Sequence, residues 1–212
     1  MKETLLILFA YLIGSIPTGV ILARYYGIGD ITKEGSGNIG ATNVGRVAGK
    51  KAGIITLAGD TLKGVIPLLV TTVVAGDFPW LIATVGLVAF LGHIYPLFNN
   101  FKGGKGVATA LGVFIYISPL SVLAAIAVFG GLVYIWRFVS LGSVVAAGLM
   151  PAFIGLFSET KIYIILAVII GGIVIYRHKE NILRLLEGQE NKLGEEKIKE
   201  EEVEKPQVSE EN

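Results

Sequence analysis

Apolar residues gather into long blocks along the chain, at residues 4–23, 52–75, 79–98, 107–118, 119–136, 140–157 and 161–176, separated by short polar segments. Most of the blocks are long enough to cross about 30 Å of hydrocarbon as helix, at 1.5 Å per residue. The two around Ser118-Pro119 admit two readings: one over-long helix, or a hairpin whose first arm is short. Loop charge decides between them. The segment after the first block carries Arg24, Lys33, Arg46, Lys50 and Lys51 against Asp30 and Glu34, and cations of this kind collect on cytoplasmic loops. Gly76-Asp77-Phe78-Pro79 has no cation, whereas Asn99 to Lys105 carries Lys102 and Lys105. A turn back at Ser118-Pro119 puts Arg137 inside, Ser158–Lys161 outside and Arg177-His178-Lys179 inside again. The expected fold is therefore an all-α integral membrane protein of seven transmembrane helices. Its N-terminus is outside, its C-terminus cytoplasmic, and its polar motifs sit on short cytoplasmic loops. The first block has the length of a full span, longer than the apolar region of a cleavable signal.

Composition agrees with lipid as the solvent. Mean hydropathy is +0.68 and only 17% of residues are charged, against about 25% in soluble proteins. With no cysteine, disulfides, thiolate metal sites and a cysteine nucleophile are excluded. The formal charge of +1 hides an asymmetry: residues 187–212 carry ten acidic and four basic residues, leaving seven acidic and fourteen basic in 1–186. A cationic body suits anionic lipid surfaces or anionic substrates; nucleic acid is not expected, since no basic soluble domain is present. The division expected is a transmembrane domain at 1–190 and a solvated, partly helical or disordered charged tail at 191–212, whose removal after Asn191 should leave activity intact.

Three polar clusters carry the candidate chemistry. Gly35 to Arg46 reads Gly-Ser-Gly-Asn-Ile-Gly-Ala-Thr-Asn-Val-Gly-Arg, with hydroxyls at Ser36 and Thr42 and carboxamides at Asn38 and Asn43. Glycine-rich backbone lets amides converge on an anion, and Arg46 would add a forked cation for phosphate oxygens; the other reading is a flexible turn between helices. The second cluster, Asn99-Asn-Phe-Lys102-Gly103-Gly104-Lys105-Gly106, feeds a helix, whose free N-terminal amides favour an anion. It is not a P-loop: no Ser or Thr follows Lys105 and no strand precedes it. A basic turn obeying the charge rule is the alternative. In the third cluster, Arg177-His178 to Glu190, helical spacing puts His178, Asn181 and Leu185 on one face, with Arg177 and Arg184 elsewhere. A lone histidine at a membrane boundary is commonly structural, yet all three clusters face one side in the seven-helix reading. Asp60 and Lys63, three apart within an apolar block, read as a structural ion pair near the cytoplasmic boundary, with a functional pair as the alternative. Glycines 14, 19, 86, 92, 171 and 172 mark close helix packing.

No paired carboxylates stand near a cluster to hold a divalent metal, and two histidines do not make a zinc site; no metal or cofactor is expected. Neither His93 nor His178 is followed by Asp five positions on, so the dyad of many acyl-CoA-dependent acyltransferases is absent. What remains is a metal-free anion site at the inner face of a bilayer, with a small-organic-phosphate transporter as the rival reading.

Ser36-Gly-Asn-Ile-Gly-Ala-Thr-Asn43 with Arg46, Gly92-His93 through Phe101-Lys-Gly-Gly-Lys-Gly-Val-Ala-Thr109, and Arg177-His178 through Asn181-Ile-Leu-Arg184-Leu with Gly188-Gln-Glu190 resemble the three motifs of the bacterial acyl-phosphate:glycerol-3-phosphate acyltransferases. The resemblance covers 4–190 and implies transfer of a fatty acyl chain from acyl phosphate to the 1-hydroxyl of sn-glycerol 3-phosphate. Lysophosphatidate and phosphate would be released as the first step of phospholipid synthesis. Within it Ser36, Arg46, Lys105, His178 and Asn181 are expected to be catalytic. Gly37, Asn38, Thr42, Asn43, Lys102, Gly103, Gly104, Gly106, Ser143 and Glu190 are expected to bind substrate. The proton acceptor stays open between His178 and a substrate phosphate oxygen, and Ser36 as a covalent nucleophile is a third option. Expected partners are the two substrates and membrane lipid, with a monomer compatible with the chain.

Overall fold

The computed structural model describes residues 1–158 and 160–194. Among them lie ten α-helices: α1 (Lys2–Gly14), α2 (Thr18–Tyr25), α3 (Ala41–Val47), α4 (Lys50–Ala75), α5 (Pro79–Ile94), α6 (Val107–Ile117), α7 (Pro119–Trp136), α8 (Val139–Phe157), α9 (Lys161–Arg177) and α10 (Lys179–Leu186). Glu159 and residues 195–212, most of the expected tail, lie outside the described residues.

Each apolar block becomes helix, with informative departures at the ends. The first block is broken: Pro17, which has no N–H to donate, separates α1 from α2. The third ends at Ile94 rather than 98, because Tyr95-Pro96 leaves helical geometry and a short 3₁₀ turn follows at Leu97–Asn99. Ser118 separates α6 from α7, and Pro119 takes the first position of α7, where its fixed φ and missing donor cost nothing. The pair turns back as the charge pattern suggested. Lys105, just ahead of α6, contacts Asn181, and Arg137, just past α7, pairs with Leu193, so both ends of the pair return to one end of the bundle. Five apolar stretches are long enough to span a bilayer, and a sixth counts if α9 and α10, bent by 57°, form one span. At 11 residues α6 is the short one.

The core is centred on α5, where Leu81, Ile82, Val85, Ala89, Phe90 and Ile94 are all buried, packed on Leu68, Val113, Ile154, Ile170 and Val174. Small residues let the backbones close up. Gly92 of α5 faces Tyr11 of α1, where a Cβ would come within 2.6 Å of the carbonyl oxygen, and Gly171 of α9 meets Ala147 of α8 at the same distance. Gly14 and Gly86 also lie at helix crossings, Gly19 packs instead on the Ile39 backbone, and Gly172 faces open space, so close packing does not explain that last one. A second, smaller cluster of Ala23, Ile31, Ile39, Val44 and Ala52 sits beneath the first glycine-rich loop. Large apolar side chains of α7, among them Leu120, Leu123, Tyr134 and Ile135, point outward, as lipid-facing positions should. Lys2 donates to the Val74 carbonyl (2.8 Å), which sets the chain start beside the far end of α4, away from the polar motifs.

Candidate active site

The glycine-rich loop before α3 is held by a single side chain. Asn43 is buried; its Oδ1 accepts from the Ser36 amide (2.7 Å), and its Nδ2 donates to the carbonyls of Glu34 (3.0 Å) and Asn38 (2.9 Å), with Ile31 at 3.4 Å. Asn38 Oδ1 accepts from the Gly40 amide (2.8 Å). The loop is thus shaped by its own carboxamides, while the Ser36 hydroxyl, Thr42 and Arg46 stay exposed. Arg46 makes no hydrogen bond or ion pair with any described residue.

The second motif packs differently from an open cradle. Gly103 and Gly104 lie against the last turn of α5, where a Cβ would overlap the His93 and Ile94 carbonyls or the His93 ring. Arg177 clamps them, its Nη2 donating to Gly103 (3.0 Å) and Gly104 (3.1 Å) carbonyls and its Nε to Gly104 (3.2 Å). That grip fixes Lys105, whose ammonium donates to Asn181 Oδ1. Asn181 Nδ2 donates to Glu190 Oε1 (2.7 Å), and Arg184 Nε to Glu190 Oε2 (2.8 Å). Burial lowers the Lys105 pKa to about 8, with Glu190 pulling it back up and Arg184 pushing it down. Burial also pushes Glu190 up, but hydrogen bonds from Asn181 and Arg184 outweigh it and hold the carboxyl below its usual range.

The third motif is bent where a continuous helix was expected. α9 ends at Arg177 and α10 leaves at 57°, with His178 buried in the break. His178 Nδ1 lies 2.7 Å from the Val174 carbonyl. Because a carbonyl can only accept, Nδ1 carries the proton and Nε2 keeps its lone pair. The helical-face reading of this motif is corrected for Arg184, which follows Asn181 by three residues on α10, pairs with Glu190 and lines the site, while Arg177 serves the neighbouring loop.

These segments surround one cavity of about 460 Å³. Its polar end is lined by Ser36, Asn38, Thr42, Asn43 and Arg46 from the first motif, Lys105 and Gly106 from the second, and His178, Asn181 and Glu190 from the third, with Ser143 alongside. Ser143 spends its hydroxyl on the Val139 carbonyl (2.9 Å). Phe114, Ile126, Phe129, Met150, Ile170 and Val174, from α6 to α9, form the apolar remainder. Of the expected substrate-binding residues, Gly37, Lys102, Gly103 and Gly104 do not line it; Lys102 is exposed, Gly37 takes a φ of 69° in the loop turn, and the glycine pair serves close packing. Residues not assigned to the site from sequence also line it: Asp60, His93, Arg184 and, beyond the expected domain boundary, Leu193. The intramembrane charge of Asp60 was its available signal, while His93 and Arg184 stood within the second and third motifs without being given a role.

A small polar end with three cations, Arg46, Lys105 and Arg184, hydroxyls and a lone-pair imidazole, opening onto an apolar slot, suits a phosphorylated substrate beside a fatty chain. Comparison with known proteins gives the same direction. A family model described as glycerol-3-phosphate acyltransferase matches residues 4–188. The glycerol-3-phosphate acyltransferase of Geobacter sulfurreducens is 53% identical over 192 residues, covering 91% of this chain and 98% of that one. The crystal structure of PlsY (YgiH), an integral membrane glycerol 3-phosphate acyltransferase, superposes with a TM-score of 0.87 in its glycerol 3-phosphate form and 0.85 in its lysophosphatidic acid form. It is 43% identical, and the match covers 92% of this chain and 96% of that one. With the first two motifs and the third as far as Gly188 inside the matched span, and residues of all three at one cavity, the chain belongs to the glycerol-3-phosphate acyltransferase family.

Proposed function

We propose that this protein transfers a fatty acyl group from acyl phosphate to the 1-hydroxyl of sn-glycerol 3-phosphate, giving lysophosphatidate and inorganic phosphate. The observation that carries the reading is the convergence of Arg46, Lys105, His178 and Asn181, from three separate segments, on the polar end of a cavity with apolar walls. The solved relative's glycerol 3-phosphate and lysophosphatidic acid forms correspond to the acceptor and product of this reaction.

An acyl phosphate is a mixed anhydride with a good leaving group, so orientation and charge neutralisation matter more than a strong base. Arg46 and Lys105 neutralise phosphate oxygens. The glycerol hydroxyl attacks the carbonyl carbon, the new ester C–O bond forms, and the carbonyl–phosphate bond breaks to release phosphate. His178 Nε2, with its lone pair free and its ring oriented by Val174, is the acceptor of the hydroxyl proton; a phosphate oxygen of the substrate is the competing acceptor. The acyl chain lies along Phe114, Phe129 and Met150. The second motif's contribution to phosphate binding comes from Lys105 and Gly106, with Gly103 and Gly104 acting as packing points.

Seven segments cross the membrane in this reading, the broken α1–α2 stretch and α4 to α9, with α6 and α7 as the hairpin, the N-terminus outside and the motifs facing the cytoplasm. In support, Arg46, Lys105, Arg137, Arg177 and Lys179 lie at one end of the bundle. The deciding experiment supplies purified full-length protein in detergent with acyl phosphate and labelled glycerol 3-phosphate. Labelled lysophosphatidate is the expected product; its absence in a folded preparation would sink the reading.

A further inference from the structure

The Asp60–Lys63 pair is not isolated. Lys63 Nζ lies 2.8 Å from Asp60 Oδ1, donates to the Ile16 carbonyl (2.7 Å) between α1 and α2, and contacts His93 Nδ1 at 3.2 Å. A lysine ammonium has donors and no acceptor, so in its contact with His93 Nδ1 it can only donate. His93 Nδ1 therefore accepts, and the ring's single proton lies on Nε2. No described residue takes that proton: the ring's one hydrogen bond is the contact through Nδ1. The side chain is only 5% exposed, it lines the cavity, and so does Asp60. Beside Nε2 stands Gly104, one residue before Lys105, where any Cβ would overlap the ring. An N–H without a protein partner at the wall of a cavity is free to donate to a ligand there, and Lys105 lines the same cavity.

We propose that His93 is a substrate-binding residue whose Nε2–H donates to a phosphate oxygen held by Lys105, with Lys63 and Asp60 acting as positioning residues that impose this tautomer. This rests on the cavity being the acyl-transfer site. Replacing His93 by Leu then raises KM for the phosphate-bearing substrate about 10- to 100-fold, the worth of a hydrogen bond to a charged group, with kcat changed less. His93→Gln, which keeps an N–H at similar reach, restores most of the loss.

The chain has two histidines, so selective ¹⁵N labelling of the full-length protein in detergent reads both rings without any variant, and His93→Gln assigns them. The expected result is opposite tautomers, protonated on Nε2 at His93 and on Nδ1 at His178. Adding glycerol 3-phosphate or a non-transferable acyl phosphonate, in separate titrations, identifies which phosphate shifts the His93 Nε2 signal. Protonation of His93 on Nδ1, or an Nε2 signal unmoved by both ligands in a preparation that turns over, overturns the proposal. A preparation whose His93 signal answers a phosphate but which makes no lysophosphatidate overturns the assigned reaction and leaves the phosphate contact standing.

Discussion

Arg46 and Lys105 are both cations, yet the fold treats them differently. Arg46 is exposed and without a protein partner among the described residues, so its whole fork is available. Removing it by Arg46→Ala should lower kcat/KM roughly 10²–10³-fold, the effect of losing one preorganised charge partner, while thermal stability stays unchanged. Arg46→Lys should recover only part, because a point charge cannot engage two oxygens at once. Lys105 is half withdrawn and its pKa is lowered to about 8. A lysine with a lowered pKa is charged below that value and neutral above it, so kcat/KM for glycerol 3-phosphate should fall as pH rises through about 8. The free enzyme is what kcat/KM reports, and bound phosphate keeps the ammonium charged, so kcat should hold to higher pH. In Lys105→Arg the fall should disappear from the accessible range; a wild-type profile flat to pH 9.5 would contradict this assignment.

The loop before α3 and the α9–α10 break are elements built by side-chain hydrogen bonding rather than by helix propensity. Asn43 satisfies the Ser36 amide and the Glu34 and Asn38 carbonyls at once. Asn43→Ala leaves these groups without that partner, at about 1–3 kcal/mol for each that stays dry, and each kcal/mol should lower Tm by roughly 2–4 °C in a chain of this size. Calorimetry or a thermal-shift assay in detergent checks it. Where α4 crosses α5, Lys63→Met would leave Asp60 buried without its cation, a change that costs about 3–5 kcal/mol in comparable pairs. The double change Asp60→Asn with Lys63→Met should be milder than the single one, since no unpaired charge remains.

For the molecule as an assembly, the three motifs must share one aqueous face. The chain has no cysteine, so single cysteines introduced at Lys50, Lys102 and Lys179 can be compared with one at Asp77. Impermeant reagent applied from the cytoplasmic side should label the first three and spare the fourth; labelling Asp77 together with Lys102 from one side would break the proposed topology. Leu193 also bears on where the working unit ends. It lines the cavity, its amide donates to the Arg137 carbonyl (2.7 Å), and its carbonyl accepts from Arg137 Nη2 (2.8 Å). A cut after Gly194 should therefore preserve turnover, whereas a cut after Asn191, which looked harmless from sequence, should weaken it. Chelation of divalent ions should leave acyl transfer unchanged in a standard assay.

Helical architecture was readable from the chain because lipid leaves a backbone no other partner than itself, so a block of apolar residues of spanning length must be helix. The turn at Ser118-Pro119 was readable for the same kind of reason, since proline and loop charge act locally. The cations and polar groups of the three motifs were recognisable as residue types suited to phosphate. Their meeting was not: Lys105 of the second motif reaches Asn181 of the third, and Asn181 reaches Glu190. Nor could spacing foretell that Gly103 and Gly104 serve packing, that Asn43 is spent on its own loop, or that Lys63 dictates which nitrogen of His93 carries a proton. Each depends on which groups the fold brings into contact, a matter of packing in three dimensions that periodicity along one does not encode.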